Sequence, residues 1–318
     1  MELRKDYILE RWVYIASERK KRKKEFTEKT EAKDEGPKTC FFCTGNEDTT
    51  PPEKGRIEEE GKWIIRWFNN KFAAVEQKGD YVVKTENTFF TFSDAWGEHE
   101  VIVETNDHNK QLWDLEAGHI VKILKVYINR IQELEKINGI KYVAIFKNHG
   151  QEGGTSLVHS HTQVMALSMV PKLVKRKITA LKKFGEECAY CQIIQLEKNS
   201  DRRCFENNTF VAFCPYASQF NYEIMIMPKR HVARLEKLSD EELADFADII
   251  SKVLSKLKEL DCSYNFYIHY SPEENNLHLQ MIVCPRTAIW AGFELSSQMI
   301  INSVSPESAA KFYRGEEQ

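Results

Sequence analysis

The feature that most constrains the fold is an internal repeat. Glu100-Val-Ile-Val-Glu-Thr-Asn-Asp-His108 aligns without a gap on Glu223-Ile-Met-Ile-Met-Pro-Lys-Arg-His231. Each copy is preceded by a Cys-x-x-Cys pair, Cys40/Cys43 in the first and Cys188/Cys191 in the second. Each is followed by an amphipathic stretch, a β-like run and then a histidine segment, His159-Ser-His161 or His278-Leu-Gln280. Four features matched in the same order point to duplication of one unit.

Periodicity supplies the elements of that unit. Leu112, Leu115, Ile120, Ile123, Leu124, Tyr127, Ile128, Ile131 and Leu134 share a helical face, which predicts a helix over about 110–137. Ser239-Asp-Glu-Glu242 is a capping-box pattern that opens a second helix over about 239–260, with Leu243, Phe246, Ile249, Ile250, Val253, Leu254 and Leu257 on its apolar face. Strands are expected before these helices at 99–104 and 222–227, and after them at 142–146, 161–167, 264–269 and 277–283. The reading is an α+β body of two similar halves, residues 1–170 and 171–318, each an antiparallel sheet with a helix packed on it.

Composition narrows the function classes. With 42% hydrophobic and 29% charged residues, the chain of 318 residues is neither disordered nor membrane-embedded, and no apolar run approaches the ~20 residues of a membrane span. Its net charge of −3 gives no general attraction to nucleic acid or an anionic membrane, so any anion must be held by a local site. The opening Met-Glu-Leu-Arg-Lys-Asp leads into charge rather than a signal-peptide core, so a cytoplasmic setting is expected. In a reducing compartment a Cys-x-x-Cys pair more often marks metal than a disulfide. Cys40, Cys43, His108 and His159 form one candidate zinc set, and Cys188, Cys191, His231 and His278 form another.

The chemistry concentrates in Asn148-His-Gly-Gln-Glu-Gly-Gly-Thr-Ser-Leu-Val-His-Ser-His-Thr-Gln163. Strand alternation places His159, His161 and Gln163 on one face. Gly150, Gly153 and Gly154 let backbone N–H groups approach an anion. An imidazole beside such a cradle can attack phosphorus, and Gln163 can then donate to a non-bridging oxygen as charge develops. On the residues alone, His161 as a further metal ligand or a satisfied polar side chain stays open.

Gly154, Ser156, His159-Ser-His161 and Gln163, with Asn148 upstream, resemble the active-site segment of galactose-1-phosphate uridylyltransferases, in the histidine-triad superfamily. The resemblance extends to Arg4-Lys-Asp6, Arg11-Trp-Val13, Arg19 and Arg22. It includes Cys40-Phe-Phe-Cys43 with Gly45-Asn46-Glu47, Gly292-Phe-Glu294, and Pro306-Glu307 with Ala309. It implies a duplicated histidine-triad-like fold and a two-step transfer in which His161 holds a nucleoside monophosphate between a nucleotide sugar and a hexose 1-phosphate. It makes His159 a zinc ligand, Ser156 and Gln163 phosphate contacts, and Asn148 a nucleotide contact. Arg19 and Arg22 become phosphate or nucleotide contacts, and Glu294 a sugar contact. Leu157-Val-His-Ser-His161 departs from the family's Asn-Pro-His-Pro-His and is closer to ADP-glucose phosphorylase-like members. Gln280 stands where a second nucleophile would be, so only the first half is expected to be catalytic. His269, ahead of Ser271-Pro272, competes for the second metal site. A non-catalytic, zinc-stabilised nucleotide-binding module is the alternative from another class, and a homodimer is left open.

Overall fold

The computed structural model describes residues 1–17, 36–185, 187–273 and 277–316. Its elements, in chain order, are β1 (Glu2–Lys5), β2 (Trp12–Ile15), β3 (Glu53–Glu59), β4 (Lys62–Asn69), β5 (Lys84–Thr85), β6 (Thr91–Phe92) and β7 (Gly97–Val103). There follow α1 (Ala117–Leu134), β8 (Tyr142–His149), β9 (His161–Leu167), α2 (Lys172–Leu181), α3 (Ala189–Glu197), β10 (Arg203–Glu206), β11 (Phe210–Phe213) and β12 (Ile224–Pro228). The chain ends with α4 (Asp240–Glu259), β13 (Tyr264–His269), β14 (Gln280–Pro285), α5 (Gly292–Ser297), β15 (Ile300–Asn302) and α6 (Pro306–Arg314).

Ten of the strands form one sheet in the order β10-β11-β12-β14-β13-β8-β9-β7-β4-β3. Read outward from the centre, the halves run β8-β9-β7-β4-β3 and β13-β14-β12-β11-β10, so each strand of one half has a counterpart in the other. The duplication expected from the sequence is therefore visible in the topology. The sequence suggested a sheet for each half. Instead β8 and β13 pair antiparallel, from Tyr264 opposite His149 to Ile268 opposite Ile145, and join the two sheets into one.

Helices α1 and α4, the equivalent helices of the halves, pack against each other. Leu112, Ile120, Ile123, Leu124 and Tyr127 of the first half meet Ile250, Phe266, Ile268 and Met281 of the second. The α1 helix is shorter than its periodicity suggested, because residues 112–114 form a separate 3-10 turn. The capping box of α4 forms as read, with Ser239 Oγ accepting from the Glu242 N–H and the Glu242 carboxylate accepting from the Ser239 N–H.

The opposite face of the sheet differs between the halves. Over the second half it carries α2, whose Lys177 reaches His269 and Gln280. Over the first half a small cluster of Phe42, Trp63, Phe68, Val101 and Val103 covers part of it. There Ala144, Phe146 and Asn148 of β8, with Gln163 and Met165 of β9, remain partly exposed while Val143, Ile145, Lys147, Val164 and Ala166 are buried. That period-2 alternation marks an open face. Phe246 of α4 stacks on Phe210 of β11 with ring centroids 4.7 Å apart. Phe246→Ala should cost about 3–5 kcal/mol, read from urea unfolding, because both rings are almost wholly buried and truncation leaves a cavity.

Candidate functional site

The open face ends at a cluster assembled from three separate parts of the first half. Cys43 Sγ lies 3.2 Å from His108 Nδ1 and 3.5 Å from His159 Nδ1, and Cys40 Sγ lies 3.5 Å from His159 Nδ1. All four ligand atoms fall within 4.8 Å of one another. For tetrahedral zinc with ordinary Zn–S and Zn–N lengths the S···N edge is about 3.6 Å, so the spacing fits. His159 Nε2–H donates to the Thr105 carbonyl at 2.8 Å, which leaves Nδ1 as the ligand atom. The loop that presents the thiols is held by Asn46, whose Nδ2 donates to the Cys40 carbonyl at 2.9 Å.

His161 opens β9 two residues after His159. Its Nδ1–H donates to the His159 carbonyl at 2.8 Å, which fixes the tautomer and leaves the Nε2 lone pair available. Burial, and then the charge of Lys147, brings the imidazole down to about 4, so it is neutral near pH 7. Gln163 follows on the same face of β9, and its Oε1 lies 2.9 Å from His99 Nε2. His99 Nδ1 accepts from the Ala74 N–H at 3.2 Å, so Nε2 carries the proton and donates to Gln163. The Gln163 amide NH₂ is thereby turned outward as a donor. His159 itself precedes β9 rather than lying on it, although the Phe42 ring stands edge-on to both imidazoles.

Behind this segment sits a buried ion pair. Lys147 Nζ is 2.6 Å from Glu104 Oε2, and both side chains are almost wholly shielded from solvent. Lys147 also donates to Ser160 Oγ at 3.0 Å and to the carbonyl of His161 at 2.9 Å. Glu104 accepts from Ser160 Oγ at 2.6 Å and from Thr162 Oγ1 at 2.5 Å, the hydroxyls on either side of His161. Burial pushes the Glu104 carboxyl up, but Lys147 and the two hydroxyls outweigh it and hold it below the usual range. Ser160 is thus committed to the support of the strand.

The glycine segment behaves differently from the expected anion cradle. Gly153 N–H and Thr155 N–H both donate to the Gly150 carbonyl, and Gly154 N–H donates to that of Gln151. These amides close a tight turn instead of facing a ligand. Gly150, at φ +73°, is required because a Cβ there would lie 2.1 Å from Ser263 Oγ of the second half. Asn148 lies on the open face beside the turn, and Gly154 and Ser156 are exposed at its rim. Glu294 is turned back to cap its own helix, accepting from the Ala291 N–H at 3.0 Å, rather than reaching toward the histidine segment. Arg19 and Arg22 lie outside the described residues.

The second candidate metal centre is smaller than its repeat partner. Cys188, Cys191 and His231 bring ligand atoms within 4.8 Å of one another, with Cys191 Sγ 3.8 Å from His231 Nδ1. The His278 ring stands edge-on to His231 at 5.2 Å, much as His159 does to His108. Its Nδ1–H donates to the Leu279 carbonyl at 3.0 Å and its Nε2 is buried without a partner, and His278 stands outside the set whose ligand atoms lie within 4.8 Å of one another. His269 is also elsewhere, with Nδ1 3.1 Å from Lys177 Nζ. Lys177 donates further to Gln280 Oε1 at 2.8 Å, so a buried lysine fills the face beside the counterpart of His161.

The fold and site are those of a duplicated α+β nucleotidyltransferase. Residues 2–171 match the profile described as galactose-1-phosphate uridyl transferase, N-terminal domain. Residues 97–312 match a domain of unknown function, DUF4921. The chain is 33% identical to ADP-glucose phosphorylase of Arabidopsis thaliana over 98% of its own length and 92% of that protein's. It is 29% identical to galactose-1-phosphate uridylyltransferase of Thermotoga maritima, over 99% of this chain and 98% of the other. A solved structure of the Arabidopsis ADP-glucose phosphorylase with bound ADP-glucose superposes with a TM-score of 0.85 at 29% identity, covering 100% of this chain and 99% of that one. The chain belongs to the galactose-1-phosphate uridylyltransferase family.

His99, Glu104 and Lys147 were not singled out from the sequence as functional, because their partners become neighbours only across strands. A buried pair of this kind is costly to break from one side. Lys147→Met should lose about 3–5 kcal/mol in urea unfolding, since it strands Glu104, and Lys147→Met with Glu104→Gln should recover most of that. In the native protein the Glu104 carboxylate adds stability at neutral pH that is lost as pH falls through its lowered value.

Proposed function

We propose that the chain exchanges a nucleoside monophosphate between a nucleotide sugar and a hexose 1-phosphate, with uridylyl transfer of the UDP-glucose to galactose-1-phosphate type as the first reading. The observation that carries it is the tautomer of His161, with Nδ1–H committed to the His159 carbonyl and Nε2 left unprotonated beside the outward amide of Gln163. In the first step Nε2 attacks the α-phosphorus. A P–N bond forms, the bridging P–O bond breaks, and hexose 1-phosphate leaves with the electron pair. In the second step a phosphate oxygen of the acceptor attacks the same phosphorus and the P–N electrons return to His161. Gln163 donates to a non-bridging oxygen in both transition states, where a fixed donor counts most. In this reading Asn148, Gly154 and Ser156 contact substrate, as do Arg19, Arg22 and Glu294.

Adenylyl transfer to inorganic phosphate is the second reading. Ser160 between the two histidines and the full-length similarity to ADP-glucose phosphorylase favour it. Residues 1–170 would form the catalytic half and 171–318 the non-catalytic repeat. Zinc would be the ion held by Cys40, Cys43, His108 and His159, fixing the backbone on which His161 depends. A second zinc would rest on Cys188, Cys191 and His231.

Incubation with UDP-glucose or ADP-glucose and intact-mass measurement should give one covalent nucleotidyl adduct, its mass naming the base. Absence of any adduct would favour the non-catalytic binding module. His161→Ala should abolish exchange while metal content and melting temperature stay native, and His161→Gly should regain activity with added imidazole. Gln163→Ala should slow transfer about 10²–10³-fold. Cys40→Ser should release metal and lower the melting temperature, because a structural ion contributes folding free energy. Unchanged metal and melting temperature in that variant would eliminate the first zinc site.

A further inference from the structure

A cation of the second half backs a hydrogen-bond relay that crosses to the first. Arg286, just beyond β14, donates from Nη1 to Asn265 Oδ1 at 3.1 Å. Asn265 of β13 donates from Nδ2 to Asn148 Oδ1 at 2.9 Å and to the Gly153 carbonyl at 2.7 Å. Asn265 and Asn148 are direct partners in the β8–β13 register, so this relay crosses the junction of the halves. Arg286 has no carboxylate in ion-pair reach among the described residues, and its Nε is buried without a partner. The nearby acid Glu152 is instead occupied by Ser263 Oγ. The backbone N–H of Arg286 is anchored on the Ser263 carbonyl at 2.7 Å.

The direction of this relay has a chemical consequence. An arginine is only a donor, so it sets Asn265 with its oxygen inward and its NH₂ toward Asn148. Asn148 then has its oxygen occupied and its own NH₂ left to donate to the open face. Asn148 lies one strand away from His161, about 4.8 Å across the sheet. An amide donor at that offset, backed by an unneutralised guanidinium, suits the phosphate next to the one that His161 attacks. We propose that Arg286 and Asn265 are positioning residues that make Asn148 the donor of a phosphate subsite. That subsite holds the phosphate that leaves with the sugar and the one that arrives with the acceptor. This rests on the transfer reading above, and it gives the non-catalytic repeat a part in substrate binding.

The test uses inorganic phosphate as probe and titration calorimetry on the full chain, which needs no turnover. Wild type should bind phosphate, and Asn265→Asp should bind it about 10- to 100-fold more weakly, the effect of losing one charge-assisted donor. The carboxylate introduced by that change would still pair with Arg286, so the fold should be retained, but it cannot donate to Asn148. The Asn148 amide would therefore reverse and turn its oxygen to the ligand. Arg286→Ala should weaken binding to a similar degree, Arg286→Lys less, and Asn148→Ala combined with Arg286→Ala no more than Asn148→Ala alone. In turnover the change should appear in KM for the acceptor ahead of kcat. Wild type failing to bind phosphate, or Asn265→Asp binding it as wild type does, would overturn the proposal. The adduct measurement tests the transfer reading separately, since a protein that binds phosphate through Arg286 yet forms no adduct would sink that reading alone.

Discussion

The pairing of β8 with β13 is the constraint on which the rest depends. Two five-stranded sheets would each leave a long unpaired edge at this point, with a row of unsatisfied backbone donors and acceptors. Zipping the edges together removes both at once and puts α1 against α4 on the same side, so one core serves both halves. The pairing also fixes which side chains meet across the junction. Asn265 comes opposite Asn148 and Ser263 packs on Gly150, so the turn leading to the histidine segment is shaped by the far half of the chain. A slip of β13 by one residue would send Asn265 to the helix face, away from Asn148.

The histidine segment is held from three directions. The Cys/His cluster fixes the backbone at His159, whose carbonyl in turn orients His161. The Glu104–Lys147 pair grips Ser160, Thr162 and the His161 carbonyl from beneath. His99 sets the amide of Gln163 from the adjacent strand. Each device fixes a donor or acceptor direction before substrate arrives, which is how a small number of polar groups can act on a phosphoryl centre without reorganising. The buried pair costs desolvation, and its return is geometric because most of its remaining hydrogen bonds go to Ser160, Thr162 and the His161 carbonyl.

The two halves show how a repeat diverges under one architecture. Gln280 opens β14 as His161 opens β9, and His231 and His278 keep the edge-on arrangement of His108 and His159. What has changed is the filling of the face. In the second half Lys177, His269 and Gln280 hydrogen-bond among themselves beneath α2, so the region is closed. In the first half the same face stays open, with Asn148 and Gln163 only partly buried on it.

The sequence by itself determined the duplication, the two long helices, the capping box of α4 and the first metal set, because these rest on local periodicity or on ligand chemistry repeated twice. It also placed His161 and Gln163 on one face of a strand, because a spacing of two residues does so in any strand. Only the tertiary structure decided the rest. The fusion of two sheets into one is an edge-pairing choice that no local pattern encodes. The glycines looked like an anion cradle because φ freedom is readable from composition, but their N–H groups close a turn, which depends on where the next carbonyl falls. His278 stands outside the set of Cys188, Cys191 and His231 although its ring still packs edge-on against His231, and only side-chain placement decides that. His99, Lys147, Asn265 and Arg286 stayed unread because each acts on a residue far away in sequence. Their roles exist only once antiparallel register has placed donor and acceptor side by side.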